Sequence, residues 1–399
     1  MKIESITHLG LGRADDGTLV PRVLPGEEVE LTDDGVRVLS PSSDRIAPVC
    51  RHFKACGGCA MQHASEPFVA QWKTGIVERA LAAQGIDAQV EGVDTSPANS
   101  RRRAKLSGRR TKKSALVGFH ARASDTIVEI PDCQLLTPAI LKTVPALVEL
   151  TRMAASRKGE IGLTVTDSID GADVHISTSV ELTEQLRVDL AAWANEYDIA
   201  RLVWGDEPVV TLRPPRQKFG DARIVPPAGA FLQATKEGET ALQSAVQAII
   251  GDAARVVDLF AGSGTFTFPA AKTANVHAVE GDKVMMAALD RAWRDTQGLH
   301  TITTEARDLF RRPLLPDELN EFDAAIIDPP RAGAEAQIAE IAASALKIVA
   351  MVSCNPVTFA RDAKTLIDAG FEISALRTVD QFRWSPHTEV VAAFVRSKM

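Results

Sequence analysis

The last part of the chain, residues 229–399, alternates short apolar runs with segments of helical spacing. The strand-like runs lie near 256–260, 275–280, 301–305, 322–327 and 347–352, and those bounded by turn residues are typical of strands buried on both faces of a sheet. The predicted helices lie near 237–250, 265–274, 282–296, 334–345 and 356–369. This alternation predicts a doubly wound, parallel α/β sheet, which binds its ligands beyond the carboxyl ends of its strands.

The first of these strands ends in a glycine turn, Asp258-Leu259-Phe260-Ala261-Gly262-Ser263-Gly264, and the acid Glu280 closes the second strand. Glycines let the backbone approach a ligand closely, and an acid about 20 residues farther on suits a ribose diol. The turn lacks the third glycine that a dinucleotide fingerprint uses near its pyrophosphate. A ligand with a ribose and an adenine but no phosphate fits better, so the sequence favours S-adenosylmethionine over NAD.

Two further turns follow predicted strands at the same edge of the sheet. Asp328-Pro329-Pro330-Arg331 predicts a rigid, extended loop, because proline fixes the backbone, although two prolines can also simply end a strand. Ser353-Cys354-Asn355-Pro356 places a thiol just beyond a buried strand, where α/β sheets hold their ligands. Cys354 is therefore a candidate nucleophile; the alternative is an inert buried thiol, which is common in proteins.

The first 45 residues contain apolar segments near 3–9, 18–24, 27–32 and 35–40, separated by turns rich in glycine and aspartate. Short strands with such turns predict a small antiparallel β-barrel. Barrels of this size bind nucleic acid in some proteins and are structural modules in others.

Five cysteines are present, and an odd number in a cytosolic chain indicates metal binding or catalysis and not a disulfide framework. Cys50, Cys56 and Cys59 are closely spaced, and Cys133 lies in a turn from which it can supply a fourth ligand. This spacing favours an iron–sulfur cluster, since structural zinc usually uses two close cysteine pairs or histidine partners. Zinc and unliganded thiols are the alternatives.

Residues 101–113 carry many basic side chains and no acidic one, in a chain whose net charge is -7. Such a cluster indicates contacts with nucleic-acid phosphates, although a charge run is more often a solvated face. The cluster lies in a predicted mixed α/β unit over residues 46–228. Its predicted helices are near 66–84, 137–155 and 181–195, and its strands near 160–166, 172–178, 200–204 and 209–212.

The chain does not begin with a basic region followed by an apolar stretch, and it has no run of 18 apolar residues. Neither secretion nor membrane insertion is therefore predicted, and we expect a cytoplasmic protein. The sequence indicates no membrane contact and no obligate protein partner.

The motifs together resemble those of the 5-methyluridine RNA methyltransferases, in particular the cluster-containing branch that acts on ribosomal RNA. The match covers nearly the whole chain. In chain order its elements are Gly57-Gly58 between Cys56 and Cys59 with Gln62-His63 following, Phe231-x-Gln233, Asp258-x-Phe260-x-Gly262-x-Gly264, Asp328-Pro329-Pro330-Arg331-x-Gly333, Ser353-Cys354-Asn355-Pro356-x-Thr358-x-x-Arg361-Asp362 and His387-x-Glu389. The chain departs from the family at Thr235, where Asn is common, and at Phe382-Arg383-Trp384-Ser385, where Phe-Pro-x-Thr is common.

The resemblance implies a Rossmann-like, S-adenosylmethionine-dependent methyltransferase domain over 229–399, preceded by an α/β RNA-binding unit over 46–228 and a TRAM-like, RNA-binding barrel over 1–45. It implies methylation of a uridine at C5, with Cys354 adding to C6 and Glu389 removing the C5 proton. Because a free thiol is mostly protonated at neutral pH, we expect donors near Cys354 that favour its thiolate. The residues expected to bind the methyl donor are Gln233, Phe260, Thr265, Glu280, Asp308 and Asp328, and those expected to bind a 4Fe–4S cluster are Cys50, Cys56, Cys59 and Cys133.

The expected substrate is ribosomal RNA, in particular 23S ribosomal RNA, and transfer RNA is the alternative. A non-catalytic iron–sulfur protein that binds RNA would need the cysteines and the basic run but not the pair Cys354 and Glu389. A small-molecule methyltransferase would share the donor site but would need neither the barrel nor the basic run.

Overall fold

A computed structural model describes residues 1–33, 35–157 and 159–396 of the chain. Asp34, Lys158 and residues 397–399, which fall inside the predicted units, lie outside the described residues. The elements follow the predicted order: a small β-rich unit, a mixed α/β unit and a larger α/β unit. Within the described ranges, no helix combines the length and the hydrophobicity that a membrane span requires.

The N-terminal unit consists of a three-stranded antiparallel sheet and an antiparallel hairpin. The sheet contains β1 (Ile3–Ile6), β2 (Leu11–Ala14) and β3 (Leu19–Pro21), and the hairpin contains β4 (Glu28–Thr32) and β5 (Gly35–Ser40). The side chains of Ile3, Val20 and Val29 share one small core. The sequence predicts a small antiparallel β-barrel; the unit is rich in antiparallel strands, but they form two separate sheets. The prediction also missed β2, whose apolar pattern is interrupted by Gly12 and Arg13.

Helix α1 (Glu66–Ala82) follows the cysteine-rich segment where the sequence predicts a helix. The Ser65 hydroxyl caps it by accepting a hydrogen bond from the Phe68 amide at 3.4 Å, and Gly85 follows its end with φ of +72°. The short strand β6 (Val93–Thr95) then joins the edge of the C-terminal sheet, although the sequence places these residues in the central unit.

The central unit is a seven-stranded sheet with two helices packed against one face. Its elements are β7 (Arg103–Arg110), β8 (Ala115–His120), β9 (Ile127–Glu129), α2 (Pro138–Ala154), β10 (Glu160–Ser168), β11 (Gly171–Ser177), α3 (Glu184–Glu196), β12 (Arg201–Trp204) and β13 (Glu207–Thr211). The strand order is β13-β12-β11-β10-β7-β8-β9. Because side chains alternate along a strand, Leu106 of β7 packs in the core with Leu147 of α2, whereas Lys105 is exposed on the opposite face.

A hairpin of β14 (Gln217–Phe219) and β15 (Ala222–Ile224) leads into the C-terminal unit. The elements of that unit are α4 (Lys236–Ile250), β16 (Arg255–Leu259), α5 (Thr267–Ala270), β17 (Asn275–Glu280), α6 (Lys283–Arg294), β18 (Ile302–Ala306), α7 (Pro316–Leu319), β19 (Ala324–Ile327), α8 (Glu335–Ala343), β20 (Ile348–Ser353), α9 (Pro356–Asp368), β21 (Phe371–Asp380) and β22 (Glu389–Arg396). The strand order is β18-β17-β16-β19-β20-β22-β21-β6. The order reverses between β16 and β19, and such a switch point is where α/β sheets bind ligands.

The C-terminal sheet differs from a fully parallel one at its end. Strands β16 to β20 are parallel, but β22 lies between β20 and β21 and is antiparallel to both. Successive residues of β16 point to opposite faces, so Val256 and Val257 belong to two different apolar cores. Helix α5 is shorter than predicted, because the glycine turn continues through Gly264 at φ +90°, and the one-turn helix α7 was not predicted.

The core beneath the Cys354 turn gives a stability prediction. Phe359 of α9 is completely buried and its ring lies 6.3 Å from that of Phe394, whereas Val357 of the same helix is 68% exposed. Phe359→Ala should lower the free energy of unfolding by about 3–5 kcal/mol through loss of contacts and a cavity. The control Val357→Ala should change it by less than about 0.5 kcal/mol. Chemical unfolding followed by circular dichroism measures both, and equal effects would contradict this packing.

Candidate active site

Cys354 lies in the tight connection between β20 and α9 at the carboxyl edge of the C-terminal sheet, and its side chain is partly buried. Asn355 caps the helix by accepting a hydrogen bond from the Val357 amide at 3.1 Å, and Pro356 occupies the first turn, where its missing N–H costs nothing. The side-chain nitrogen of Asn355, Nδ2, also donates a hydrogen bond to the Arg331 backbone carbonyl at 2.9 Å. The cysteine turn and the Pro-Pro-Arg loop are thus held together.

Glu389 reaches Cys354 because of the strand order. It is the first residue of β22, and the antiparallel register pairs Ser353 of β20 with Val390 of β22. The next residues, Cys354 and Glu389, are therefore neighbours across the pair. Glu389 is only 2% exposed, and this burial raises the pKa of its carboxyl group to about 7.

Three side chains oppose the effect of burial on Glu389. Gln381 donates a hydrogen bond to its carboxylate, and the charges of Lys73 and Arg331 also favour the ionised form. The net result is a buried carboxyl group whose pKa lies near neutral pH. Such a group can accept and release a proton under cellular conditions, as a general base requires.

The Cys354 thiol is less acidic than the sequence led us to expect. Burial, together with the negative charges of Glu389 and Asp328, raises its pKa to about 12, although the charge of Arg331 opposes this shift. The expectation that neighbouring donors favour the thiolate is therefore wrong for the protein without its substrates. A reduction of the negative charge beside this thiol would lower its pKa and increase the fraction of thiolate.

Four acidic residues lie where adjacent strands of the sheet end. Asp258 is in β16, Glu280 ends β17, Asp308 follows β18 and Asp328 follows β19. Glu280 accepts hydrogen bonds from the Gly262 amide at 3.2 Å and the Asp282 amide at 3.0 Å, so it closes the glycine turn. Asp308 is exposed and accepts from the Phe310 amide at 3.0 Å.

Asp258 is a functional candidate that the sequence analysis did not include among the donor-binding residues. It is completely buried, and one carboxylate oxygen accepts a hydrogen bond from the Thr267 hydroxyl at 2.5 Å while the other has no partner. Burial, together with the charges of Asp328 and Glu280, raises the pKa of this carboxyl group to about 7. Its position at the start of the glycine turn could have identified Asp258 as a donor-site residue from the sequence. A positively charged ligand would satisfy this position.

The predicted donor-binding residues line the same edge of the sheet. Phe260 adopts φ of +60°, and its ring lies 5.3 Å from that of Phe310 in a tilted pair. Thr265 is partly buried in the turn that leads to α5, where its carbonyl accepts from Gln243 at 2.9 Å. Gln233 is buried and donates to Asp328 at 3.4 Å.

Gln381 joins the donor side to the base side of the site, and no sequence signal identified it. Its side-chain nitrogen donates to the Gln233 side-chain oxygen at 2.5 Å, and its oxygen accepts from the Ala234 amide at 2.7 Å. With its hydrogen bond to Glu389, this side chain connects two segments far apart in the sequence. Gly238 makes the arrangement possible, because a Cβ there would lie 2.7 Å from the Gln381 Cβ.

The four other cysteines line one cavity between the cysteine-rich segment that precedes α1 and the central unit. They are Cys50, Cys56, Cys59 and Cys133, and the walls also include Phe53, Phe119, Ile130 and Leu135. The Gly58 amide donates to the Cys56 sulfur at 3.4 Å. However, the described residues contain no group of three or more His, Cys, Asp or Glu side chains arranged to hold a metal ion. The four cysteines thus line the same cavity, as the sequence predicts, but their thiols are not arranged as metal ligands.

The basic run does not form one continuous exposed patch. Arg102 is buried and pairs with Glu239 of α4, so it holds the central unit against the C-terminal unit. Arg109 pairs with Glu160 at 2.9 Å on the surface of the sheet. The lysines of the run are exposed: Lys105, Lys112 and Lys113.

The chain is similar to several known RNA methyltransferases. The sequence model of the tRNA (Uracil-5-)-methyltransferase family matches residues 226–396. The chain is 42% identical to an uncharacterized RNA methyltransferase of Caulobacter vibrioides, over 97% of each chain. It is 40% identical to an uncharacterized RNA methyltransferase of Brucella suis, over 98% of this chain and 95% of that protein. It is 29% identical to the 23S rRNA (uracil(1939)-C(5))-methyltransferase RlmD of Shewanella woodyi, over 99% of this chain and 95% of that protein.

The fold is shared over its whole length with a solved structure, the tRNA (uracil-54, C5)-methyltransferase of Pyrococcus abyssi in complex with S-adenosyl-L-homocysteine. The TM-score is 0.75 at 21% identity, covering 99% of this chain and 98% of that one. The chain therefore belongs to the uracil-C5 RNA methyltransferase family, and it is an RNA methyltransferase with the Rossmann-like fold of that class. This membership favours an RNA methyltransferase over the alternatives of a non-catalytic RNA-binding protein and a small-molecule methyltransferase.

The effect of Glu389 on Cys354 predicts the reactivity of the thiol. In the protein without substrates, iodoacetamide at pH 8 should modify Cys354 slowly, because its raised pKa leaves little thiolate. Glu389→Gln removes a negative charge beside the thiol, lowers its pKa and should speed modification about threefold or more. Mass spectrometry of the Cys354 peptide measures the rate. Glu305→Gln, on β18, is the control and should change nothing; a slower reaction in Glu389→Gln would contradict the assignment.

Proposed function

We propose that the enzyme uses S-adenosylmethionine to methylate C5 of a uridine in 23S ribosomal RNA, with Cys354 as the nucleophile and Glu389 as the base. The observation that carries this proposal is a buried carboxyl group with a pKa of about 7 next to a partly buried cysteine at the ligand edge of the sheet. The two residues have the chemistry that the reaction needs at its start and its end.

Cys354 solves the first chemical problem. Uracil C5 is a weak nucleophile until a group adds to C6 and turns the ring into an enolate. The Cys354 thiolate is suited to this addition, because sulfur is strongly nucleophilic once it is ionised. Arg331 favours the thiolate, and the positive charge of the sulfonium donor would offset the opposing charges of Glu389 and Asp328 without protonating the base.

Glu389 solves the last chemical problem. S-adenosylmethionine supplies an electrophilic methyl group, which C5 accepts while C6 is bonded to sulfur. The ring then carries both a methyl group and a proton at C5. The Glu389 carboxylate removes this proton, the C5–C6 double bond forms again, and Cys354 leaves as a thiolate.

The donor site is assigned to the residues at the ends of β16 to β19. The glycine turn permits close approach of a ligand, since nothing lies within 4 Å of the position that a Cβ of Gly262 would occupy. Acidic groups here suit a ligand with a ribose diol and positive charges. The residues that would hold it are Gln233, Phe260, Thr265, Glu280, Asp308 and Asp328, with Asp258 added from the structure.

RNA is expected to approach over the exposed polar face of the central sheet. Phe231 is 60% exposed close to this face and could stack on a base, a contact of roughly 1–3 kcal/mol. A base in a duplex is not accessible, so the target uridine must leave the stack. Lys105, Lys112 and Lys113 would contact phosphates.

The similarity to RlmD supports ribosomal RNA, and the family description leaves transfer RNA as the alternative. Labelling with radioactive donor distinguishes them. When total RNA from cells that lack the enzyme is incubated with purified enzyme and this donor, only the 23S fraction should gain label. Label in the transfer RNA fraction would overturn the ribosomal assignment.

A 4Fe–4S cluster is proposed for the cavity lined by Cys50, Cys56, Cys59 and Cys133. The proposal rests on the sequence spacing of the four cysteines and on their lining one cavity with largely apolar walls, although the thiols are not arranged as metal ligands in the described residues. Gly57 is needed for the tight segment, because a Cβ there would lie 2.8 Å from the His120 carbonyl. When bound, the cluster would tie the cysteine segment to the turn that carries Cys133. Methyl transfer requires no electron, so its proposed role is structural.

Removing cluster ligands gives a direct test. Protein purified without oxygen should be brown, and Cys56→Ser should lose the colour and most of the iron. Cys354→Ser is the matched control and should keep both, because Cys354 lies outside the cavity. Iron and sulfide analysis with absorption spectra measures the result. Colourless protein that contains one zinc per chain would contradict the cluster and support the zinc alternative.

The order of the chemical steps predicts different behaviour for the two catalytic residues. Glu389→Gln should add Cys354 to the uracil and accept the methyl group but should not release the product. With labelled donor and unmodified 23S RNA, followed by nuclease digestion, a denaturing gel should show methyl-labelled protein. Cys354→Ala should bind the donor but give neither product nor labelled protein. Full turnover by Glu389→Gln would mean that another group removes the proton.

A further inference from the structure

Lys73 of α1 is a fully buried lysine that the proposed chemistry does not use. Its ammonium group pairs with Asp380 and donates to the carbonyl oxygens of Phe382 at 3.2 Å and His387 at 2.9 Å. An ammonium group has three protons, so each of them has a partner. A buried ion pair is often no more stabilising than apolar residues of the same volume. Stability alone therefore does not explain this lysine.

The partners of Lys73 lie at both ends of one loop. This loop, residues 381–388, connects β21 to β22, and the residue that follows it is Glu389. Asp380 precedes the loop and also accepts from the Phe382 amide at 3.1 Å. Lys73 thus holds the beginning of the loop through Phe382 and its end through His387.

The middle of the loop is held by the cysteine segment. Trp384 is buried and adopts φ of +59°, a conformation that non-glycine residues rarely adopt without support. Its carbonyl accepts hydrogen bonds from the amides of Ala60 at 2.7 Å and Met61 at 3.0 Å, directly after Cys59. The loop before Glu389 therefore takes its shape from residues more than 300 positions earlier in the chain.

We infer that Lys73 is a positioning residue for Glu389, which it serves by fixing both ends of this loop and by placing a positive charge beside the carboxylate. This inference rests on the proposed role of Glu389 as the base. It assigns the lysine to the step that releases the methylated product, and not to the addition of Cys354.

The charges around Glu389 determine the sign of the effect. Glu389 interacts with charged and titratable groups of several elements, namely Lys73 of α1, Asp328 and Arg331 after β19 and Cys354 after β20. Asp380 of β21 and His387 of the loop are in turn partners of Lys73. Lys73 and Arg331 favour the carboxylate, whereas burial opposes it. Without Lys73 the pKa of Glu389 rises, so a smaller fraction of Glu389 is ionised at neutral pH than in the unchanged enzyme. At alkaline pH Glu389 is ionised in both, and the difference disappears.

The test compares two variants with two controls. Lys73→Met removes the positive charge but leaves the Asp380 carboxylate buried without its partner, which destabilises the fold. The double variant Lys73→Met/Asp380→Asn removes both charges and so avoids this loss of stability. Arg201→Met is the matched control, because Arg201 and Asp173 form another largely buried ion pair, in the central unit away from the loop. Glu389→Gln is the control for the base itself. Thermal melting shows that each variant is folded.

Turnover is measured from pH 6 to 9 with labelled S-adenosylmethionine and total RNA from cells that lack the enzyme, which contains the target whichever RNA carries it. Relative to the unchanged enzyme, the double variant should turn over about tenfold more slowly at pH 7 and recover towards pH 9, and it should accumulate methyl-labelled protein during the reaction. Arg201→Met should show neither change.

The possible outcomes separate the two claims. A folded double variant that loses activity equally at every pH, without labelled protein, would overturn the positioning role of Lys73. Labelled protein in Glu389→Gln but not in the Lys73 variants would leave the proposed base intact and reject only the lysine. Full turnover by Glu389→Gln would reject the base, and the inference with it.

Discussion

The antiparallel pairing of β22 with β20 is the constraint on which the site depends. Its register pairs Ser353 with Val390, and Cys354 and Glu389 are neighbours only for that reason. A one-residue shift would move every side chain of β22 to the opposite face of the sheet. The strand is held in place by β21 on its other side and by the apolar cores on both faces. A change that disrupts this strand pairing would therefore disturb both the stability of the sheet and the geometry of the site.

The N-terminal half of the chain holds the loop that precedes Glu389. The amides of Ala60 and Met61, the Lys73 ammonium group and the Glu66 carboxylate all bind the loop before Glu389. Strand β6 extends the C-terminal sheet, and Arg102 connects the central unit to α4. These contacts join the cysteine-rich segment and the central unit to the C-terminal sheet.

Much of the fold followed from local patterns in the sequence. The apolar strands, the glycine turn and the position of Cys354 depend on periodicity and turn residues, which neighbouring residues determine. The residues that contact these elements in the folded chain were harder to predict from the sequence. Gln381 and Lys73 contact the site across long separations in the chain, and no local pattern marks them. Arg102 appeared to belong to a phosphate-binding run, but its partner Glu239 lies 137 residues away. The acidity of Cys354 also depends on Glu389 and Asp328, which only the folded chain brings near.

The central claim is that Cys354 and Glu389 together make 5-methyluridine in RNA. It is tested most directly in cells that lack the enzyme and carry either the unchanged chain or Cys354→Ala, by mass spectrometry of nuclease-digested 23S RNA. The account predicts one 5-methyluridine that is present with the unchanged chain and missing both without the enzyme and with Cys354→Ala. The same 5-methyluridine in cells that carry only Cys354→Ala would contradict it.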